Sequence, residues 1–314
     1  MQVWALINDS LKAGEACALI SVVATKGSTP REVGARIVTR ANGGFHGTIG
    51  GGNLEHKCLH LALDMLADAA PDYHLERHLL GPDMGQCCGG AVTILIEKFS
   101  PDMQNPEMQN QVQLFVDAEV RGKFFTLAQL ADNVVKRKLI DGEAEGLGLK
   151  AANQISEQFG QQKLPIYLFG AGHVGRALML NLAVLPFDVT WVDSRKSEFP
   201  PAVPANFTKI FLEQPHEVLA TAPDEAQIIV LTHDHDVDFD IALTALEMNR
   251  FDYVGMIGSK TKKARFKSRF KAAGLDKHLS DKLHTPLGIV GINSKKPAAI
   301  AVSIVAEILS RKEI

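Results

Sequence analysis

Residues 165–178 read PIYLFGAGHVGRAL. A short apolar run breaks into Gly170, Gly172 and Gly175, and the residues after them keep apolar side chains at helical spacing. Strand, tight turn and helix in that order make a dinucleotide fingerprint. The first glycine permits the turn, the second lets a pyrophosphate approach, and the third allows helix and strand to pack closely. The free N–H groups of the helix start, at His173, face the anion. Asp193 ends the next apolar stretch, 23 residues after Gly170, near the position of a ribose-binding acid. Arg195 beside it leaves NAD and NADP both open.

Working outward, strands and helices alternate. Phe187–Asp193, Thr208–Leu212, Ala226–Thr232 and Tyr253–Gly258 read as strands, and 172–185, 239–249, 261–274 and 297–312 as helices. That alternation predicts a Rossmann-like, doubly wound parallel sheet over 163–314. Upstream, residues 1–100 read as a smaller α/β domain: a helix near 2–13, the β-branched run Leu19–Thr25, a turn at Gly27-STPREVG, a hairpin signal at Asn42-Gly43-Gly44, a helix from Leu54 and a strand from Ala91. Residues 101–162, which open on a Pro-, Asn- and Gln-rich stretch, read as a connecting segment. Periodicity fits both a hairpin and a helix over 123–140.

The chain has 314 residues, a net charge of −3 and 22% charged residues, so no basic field exists to hold nucleic acid. No apolar run is long enough to span a bilayer, and the first residues lack the basic and apolar regions of a signal peptide. Four unevenly placed cysteines argue against a disulfide framework and for reduced thiols in the cytoplasm.

Four further clusters carry possible chemistry. Gly50-Gly51-Gly52-Asn53-Leu-Glu55 puts three glycines before a helix, a cradle of backbone amides for an anion or a tight turn with Asn53 as cap and Glu55 at the positive helix end. Met84-Gly-Gln-Cys87-Cys88-Gly-Gly90 sets two thiols between glycines. One thiolate there would serve as a soft-metal ligand, while its neighbour packs inward. Thr232-His233-Asp-His235-Asp-Val-Asp238 follows a strand end. His233 and His235 there are candidate metal ligands, although polar residues capping the next helix explain the same pattern. Gly258-Ser259-Lys260 opens a run dense in Lys and Arg to Arg269, either a solvated face or a docking face for phosphate or an acidic protein.

Taken in order, GSTPREVGAR (27–36), TIGGGNLE (48–55), GQCCGG (85–90), FGAGHVGRAL (169–178), VDSR (192–195), THDHDVD (232–238), GMIGSKTKKARF (255–266) and TPLGIVGINSKKPAAIAVSIVAEIL (285–309) resemble the XdhC/CoxI family. The resemblance implies a chaperone of the molybdenum cofactor (molybdopterin) without turnover of its own. Such a protein protects the cofactor while a cysteine desulfurase supplies sulfur, and then inserts it into apo xanthine dehydrogenase. It also implies a homodimer. Within that reading Cys87 or Cys88 meets molybdenum, and Gly50, Gly51, Gly52, Glu55, Gly170, Gly172, His173, Gly175, Asp193, Ser259 and Lys260 are the expected cofactor-binding residues. An NAD(P)-dependent oxidoreductase is the alternative, with His173, His233 and His235 near the strand ends. A metal-dependent hydrolase using His233 and His235 lacks a complete ligand pattern.

Overall fold

The structure, a computed structural model, describes residues 1–311 apart from 68–70, 82–88, 102–105, 143–145 and 151–152. It divides into two compact units, Met1–Gln162 and Lys163–Ile314.

The first unit opens with α1 (Val3–Lys12), β1 (Cys17–Lys26), β2 (Arg36–Arg40), β3 (Phe45–Gly47), α2 (Gly52–Ala67), β4 (Tyr73–Leu79) and β5 (Ala91–Phe99). The strands form one antiparallel sheet in the order β3-β2-β1-β5-β4. Strand β1 is buried without interruption from Cys17 to Val23 because both its faces are covered. Ile20 and Val22 join Leu54, Cys58 and Ala62 of α2 in one core. Leu19 turns the other way, toward Trp4 and Phe115.

That second face is built by residues expected to be a connecting segment. Residues 106–159 form α3 (Pro106–Arg121) and the strands β6 (Phe124–Ala131), β7 (Val134–Ile140), β8 (Gly148–Leu149) and β9 (Gln154–Phe159), a second antiparallel sheet ordered β7-β6-β9-β8. Phe115 packs with Leu19, and Ala128 and Ile155 pack with Val23 and Leu95, so the stretch belongs to the first unit's core. The ambiguity over 123–140 resolves to a hairpin. Asp132 and Asn133 take φ of 52° and 61°, as a two-residue turn matching strand twist requires.

Two buried charge arrangements tie these layers together. Glu119 of α3 accepts bonds from the Val3, Trp4 and Ala5 amides at 2.8, 3.0 and 3.2 Å, satisfying the free start of α1 from a distant helix. Between the sheets, Arg137 of β7 binds Glu97 of β5 at 2.9 Å and Glu157 of β9 at 2.7 Å, and Arg36 of β2 binds Glu157 at 3.2 Å. All four side chains are buried.

In the second unit, β10 (Leu164–Phe169), α4 (His173–Leu182), β11 (Phe187–Asp193), β12 (Phe207–Phe211), β13 (Gln227–Val230), α5 (His235–Met248), β14 (Tyr253–Met256), α6 (Lys260–Ala272), α7 (Lys277–Ser280), β15 (Leu283–His284) and α8 (Pro297–Arg311) follow one another. Six parallel strands lie in the order β12-β11-β10-β13-β14-β15. Alternate residues of β10 serve opposite faces: Ile166 and Leu168 meet Leu178 of α4 and Ile304 of α8, while Tyr167 and Phe169 meet Ala242 of α5 and Phe266 of α6. The expected doubly wound sheet is therefore present. Its order reverses between β10 and β13, where such folds open a ligand crevice at the carboxyl ends of the strands.

Candidate functional site

At the switch point, the fingerprint glycines do what their spacing implies. Gly170 has φ of +116°, and a Cβ on it would strike the Leu231 carbonyl at the end of β13. A Cβ on Gly175 would collide with the Gly170 carbonyl, so the third glycine brings α4 against the turn. Gly172 has nothing within 4 Å of a Cβ position, which leaves open space over the helix start. His173, the first residue of α4, is exposed there.

Asp193 behaves differently from a free ribose acceptor. Its carboxylate takes the Ala171 amide at 2.6 Å, the Arg195 amide at 2.8 Å, and the Arg195 guanidinium through Nε at 3.0 Å and Nη2 at 3.0 Å. Burial works to raise its pKa, yet these bonds outweigh it and hold the acid below the usual carboxylate range. Ribose hydroxyls would have to displace Arg195 to reach it. The reason lies in tertiary distance: the strand end sits directly beneath the turn, so the carboxylate closes the loop.

Beside the fingerprint, an open cleft of about 350 Å³ is lined by Thr232, His233, His235, Ile257, Gly258, Ser259 and Lys262. Its walls are the loops that follow β13 and β14. Asp234 caps α5 by accepting the Asp236 and Val237 amides, and Ser259 caps α6 by accepting the Lys262 amide. His233 and His235 are exposed at the cleft. Among the described residues no group of three or more His, Cys, Asp or Glu side chains is arranged to hold a metal ion. Asp238, the last acid of the THDHDVD motif, is buried and serves structure: Oδ1 accepts the Thr232 hydroxyl at 2.7 Å and amide at 3.0 Å, and Oδ2 accepts Lys262 Nζ at 2.5 Å. Lys260 does not line the cleft; Lys262, two residues on, does. Nothing local in the sequence pairs positions 238 and 262, so only the packing of α5 beside α6 identifies that lysine.

In the first unit, three of the glycine-rich motifs meet at one end of the first sheet. A Cβ on Gly27 would lie 3.3 Å from Gly90 Cα, one on Gly90 would run into the Ser28 carbonyl, and one on Gly50 would lie 2.7 Å from the Pro30 ring. The Leu80 amide donates to the Gly90 carbonyl at 2.9 Å, closing the connection from β4 to β5. Cys87 and Cys88, in that connection, lie outside the described residues. The other two cysteines are free and buried, and burial pushes both the Cys17 and the Cys58 thiol up to about 12, which removes them as thiolate ligands or nucleophiles.

The glycine cradle is real, and the chain fills it. Gly50, Gly51 and Gly52 all have positive φ, at 121°, 72° and 66°. Glu55 folds back so that Oε2 accepts the Ile49 amide at 3.0 Å, the Gly51 amide at 3.1 Å and the Thr48 hydroxyl at 2.6 Å. Asn53 is exposed, so the cap expected of it is supplied by Glu55, four residues beyond the N-cap amide. Burial raises the Glu55 pKa, but the Thr48, Ile49 and Gly51 bonds prevail and lower it. A lowered folded pKa contributes stability present above the unfolded value and lost as pH falls through the folded one. Glu55→Gln is accordingly expected to cost about 1–2 kcal/mol at pH 7 and to lose that deficit near pH 3, read from urea unfolding at both pH values.

The fold and these sites define a class: a Rossmann-type unit carrying a switch-point glycine turn, preceded by an antiparallel α/β unit with an anion-holding nest. Residues 166–308 match the XdhC Rossmann domain and residues 10–78 match the XdhC and CoxI family, and the chain belongs to that family. It is 27% identical over 301 residues to the uncharacterized protein YqeB of Escherichia coli K12, covering 94% of this chain but 43% of that protein, so it spans less than half the relative's length. It also shares its fold with the crystal structure of a Bacillus halodurans protein named as a xanthine dehydrogenase, at 19% identity and a TM-score of 0.77, over 100% of this chain and 97% of the other. No helix among the described residues is long and apolar enough to cross a membrane.

Proposed function

We propose that the chain binds the molybdenum cofactor and takes part in maturing a xanthine dehydrogenase-type enzyme. The observation that carries this reading is the meeting of the 27–34, 48–52 and 89–90 segments, with a two-thiol motif directly preceding Gly89 in sequence. The chemistry of the donors fits the group. A cysteine thiolate suits a soft metal centre already ligated by sulfur. The nest at Ile49 and Gly51 holds an oxyanion, since Glu55 is held in it as one. A pterin phosphate entering the nest would replace Glu55, and Cys87 or Cys88 would supply the sulfur contact. Bound there, the cofactor brings the redox-active molybdenum that the recipient enzyme needs, while this chain's residues hold and shield it. A cysteine desulfurase as sulfur donor, apo xanthine dehydrogenase as recipient, a homodimeric carrier and a cytoplasmic setting complete the proposal and rest on the family.

The test is cofactor retention. Cys87→Ser/Cys88→Ser is expected to retain about tenfold less molybdenum and pterin after purification than the parent chain, with unchanged folding. Equal retention would remove the thiols from the site.

A second reading, an NAD(P)-dependent oxidoreductase, draws on the open space at Gly172 and the free start of α4. The closed Asp193–Arg195 pair argues against it, because the acid expected to bind ribose is already saturated.

A further inference from the structure

Helix α2 turns Leu54, Cys58, Ala62 and Met65 inward, which leaves His56 and His60 exposed on its outer face. Residues four apart on a helix stand one above the other, close enough for their side chains to meet. Here the two Nε2 atoms lie 3.2 Å apart, with ring centroids 4.3 Å apart and ring planes at 68°. Both nitrogens therefore converge on one point at the surface.

An imidazole nitrogen that carries no hydrogen offers a lone pair to a metal. Zinc–imidazole bonds of about 2.0–2.1 Å at a tetrahedral centre set two nitrogens about 3.3–3.4 Å apart, and right angles at an octahedral or square centre set them about 2.9 Å apart. The observed 3.2 Å falls within that span. The same separation suits a hydrogen bond in which one Nε2–H donates to the other Nε2, so the pair already stands at the bite that a chelated ion requires. An ion would take the place of the shared hydrogen. The displaced proton passes through water to Nδ1 of the same ring, and a neutral pair loses none overall.

Nearby charge does not oppose a cation. Lys57, the base next to His56 on α2, is paired with Glu76 at 3.1 Å. Asp64, exposed one turn beyond His60, adds a carboxylate to the same face.

We propose that His56 and His60 chelate a borderline divalent cation of the class of Zn²⁺, Ni²⁺ or Cu²⁺, with water or an outside ligand in the remaining positions. Imidazole favours these ions over Mg²⁺ and Ca²⁺, which prefer oxygen. Two protein ligands make an open, exchangeable site, in accord with the absence of any three-ligand group among the described residues. The site stands on the geometry of α2 and does not rest on the function proposed above.

Calorimetric titration of the full chain with Ni²⁺ in a non-chelating buffer tests it. The parent chain is expected to bind one more equivalent than His56→Ala/His60→Ala; metal held by thiols appears in both and cancels. His56→Ala or His60→Ala alone is expected to weaken that equivalent at least about tenfold, because a lone imidazole loses the advantage of a linked second ligand. His46→Ala, which removes an exposed imidazole of β3 outside the pair, is expected to keep parental affinity. Alanine favours the helix, so the variants retain α2, and circular dichroism checks this. No extra equivalent in the parent chain, or parental affinity in either single variant, overturns the proposal.

Discussion

Gly170→Ala is expected to destabilise the second unit by about 4 kcal/mol. Two costs combine. At φ of +116° an alanine sits in backbone space that only glycine occupies comfortably. The added Cβ also meets the Leu231 carbonyl, with the Leu231 carbonyl carbon 2.8 Å away. That carbonyl cannot retreat, because the Leu231 amide is bonded to the Phe169 carbonyl at 2.9 Å across the two central strands. Gly172→Ala is the matched control: it adds the same methyl group where nothing lies within 4 Å, and should cost less than about 1 kcal/mol. Urea unfolding of both variants separates turn strain from mere change of composition. Equal stabilities for the two would show that the turn is not glycine-dependent.

Arg137→Met is the second large effect, about 3–5 kcal/mol at pH 8. Arg137 neutralises Glu97 and shares Glu157 with Arg36, so its removal leaves two buried carboxylates with one cation. The loss should also depend on pH, in a direction fixed by Glu97. Burial pushes its carboxyl up to about 7, against the pull of Arg137 and with a further push from Glu157. A carboxyl raised above its unfolded value of about 4.3 binds a proton in the folded state first, so its contribution is lost as pH climbs through about 7. Without Arg137 that carboxyl rises further, and protonation at pH 5.5 takes over the neutralising role. The deficit of Arg137→Met should therefore shrink by about 1–2 kcal/mol between pH 8 and pH 5.5. An equal deficit at both values would mean that Glu97 does not depend on Arg137 for its charge.

How much of this could be read from residues alone depends on the distance over which each feature is encoded. The Rossmann turn is encoded within a dozen residues, and Gly170, Gly172 and Gly175 occupy the conformations their spacing implies. The Gly50–Gly52 nest was legible as a nest, and Glu55 was legible as its neighbour; that Glu55 would turn back into it was not. The stretch 101–162 misled because its polar lead-in resembles a linker, while its strands hide their alternation until a second sheet is laid against β1. Lys260 is the lysine next to the Gly258-Ser259 turn in sequence, but Lys262 is the one that packing sets against Asp238 and the cleft.

In the second unit, element type, the parallel sense of the sheet and the places where the backbone needs glycine were decided by the sequence itself, because hydrophobic period and φ preference act between near neighbours. The tertiary structure alone decided which charges are spent. Asp193 belongs to Arg195 and the turn, Asp238 to Lys262, and Glu97 and Glu157 to Arg137. Most of these partners are tens of residues apart, and a carboxylate's use is set by whichever donor the packing brings within 3 Å.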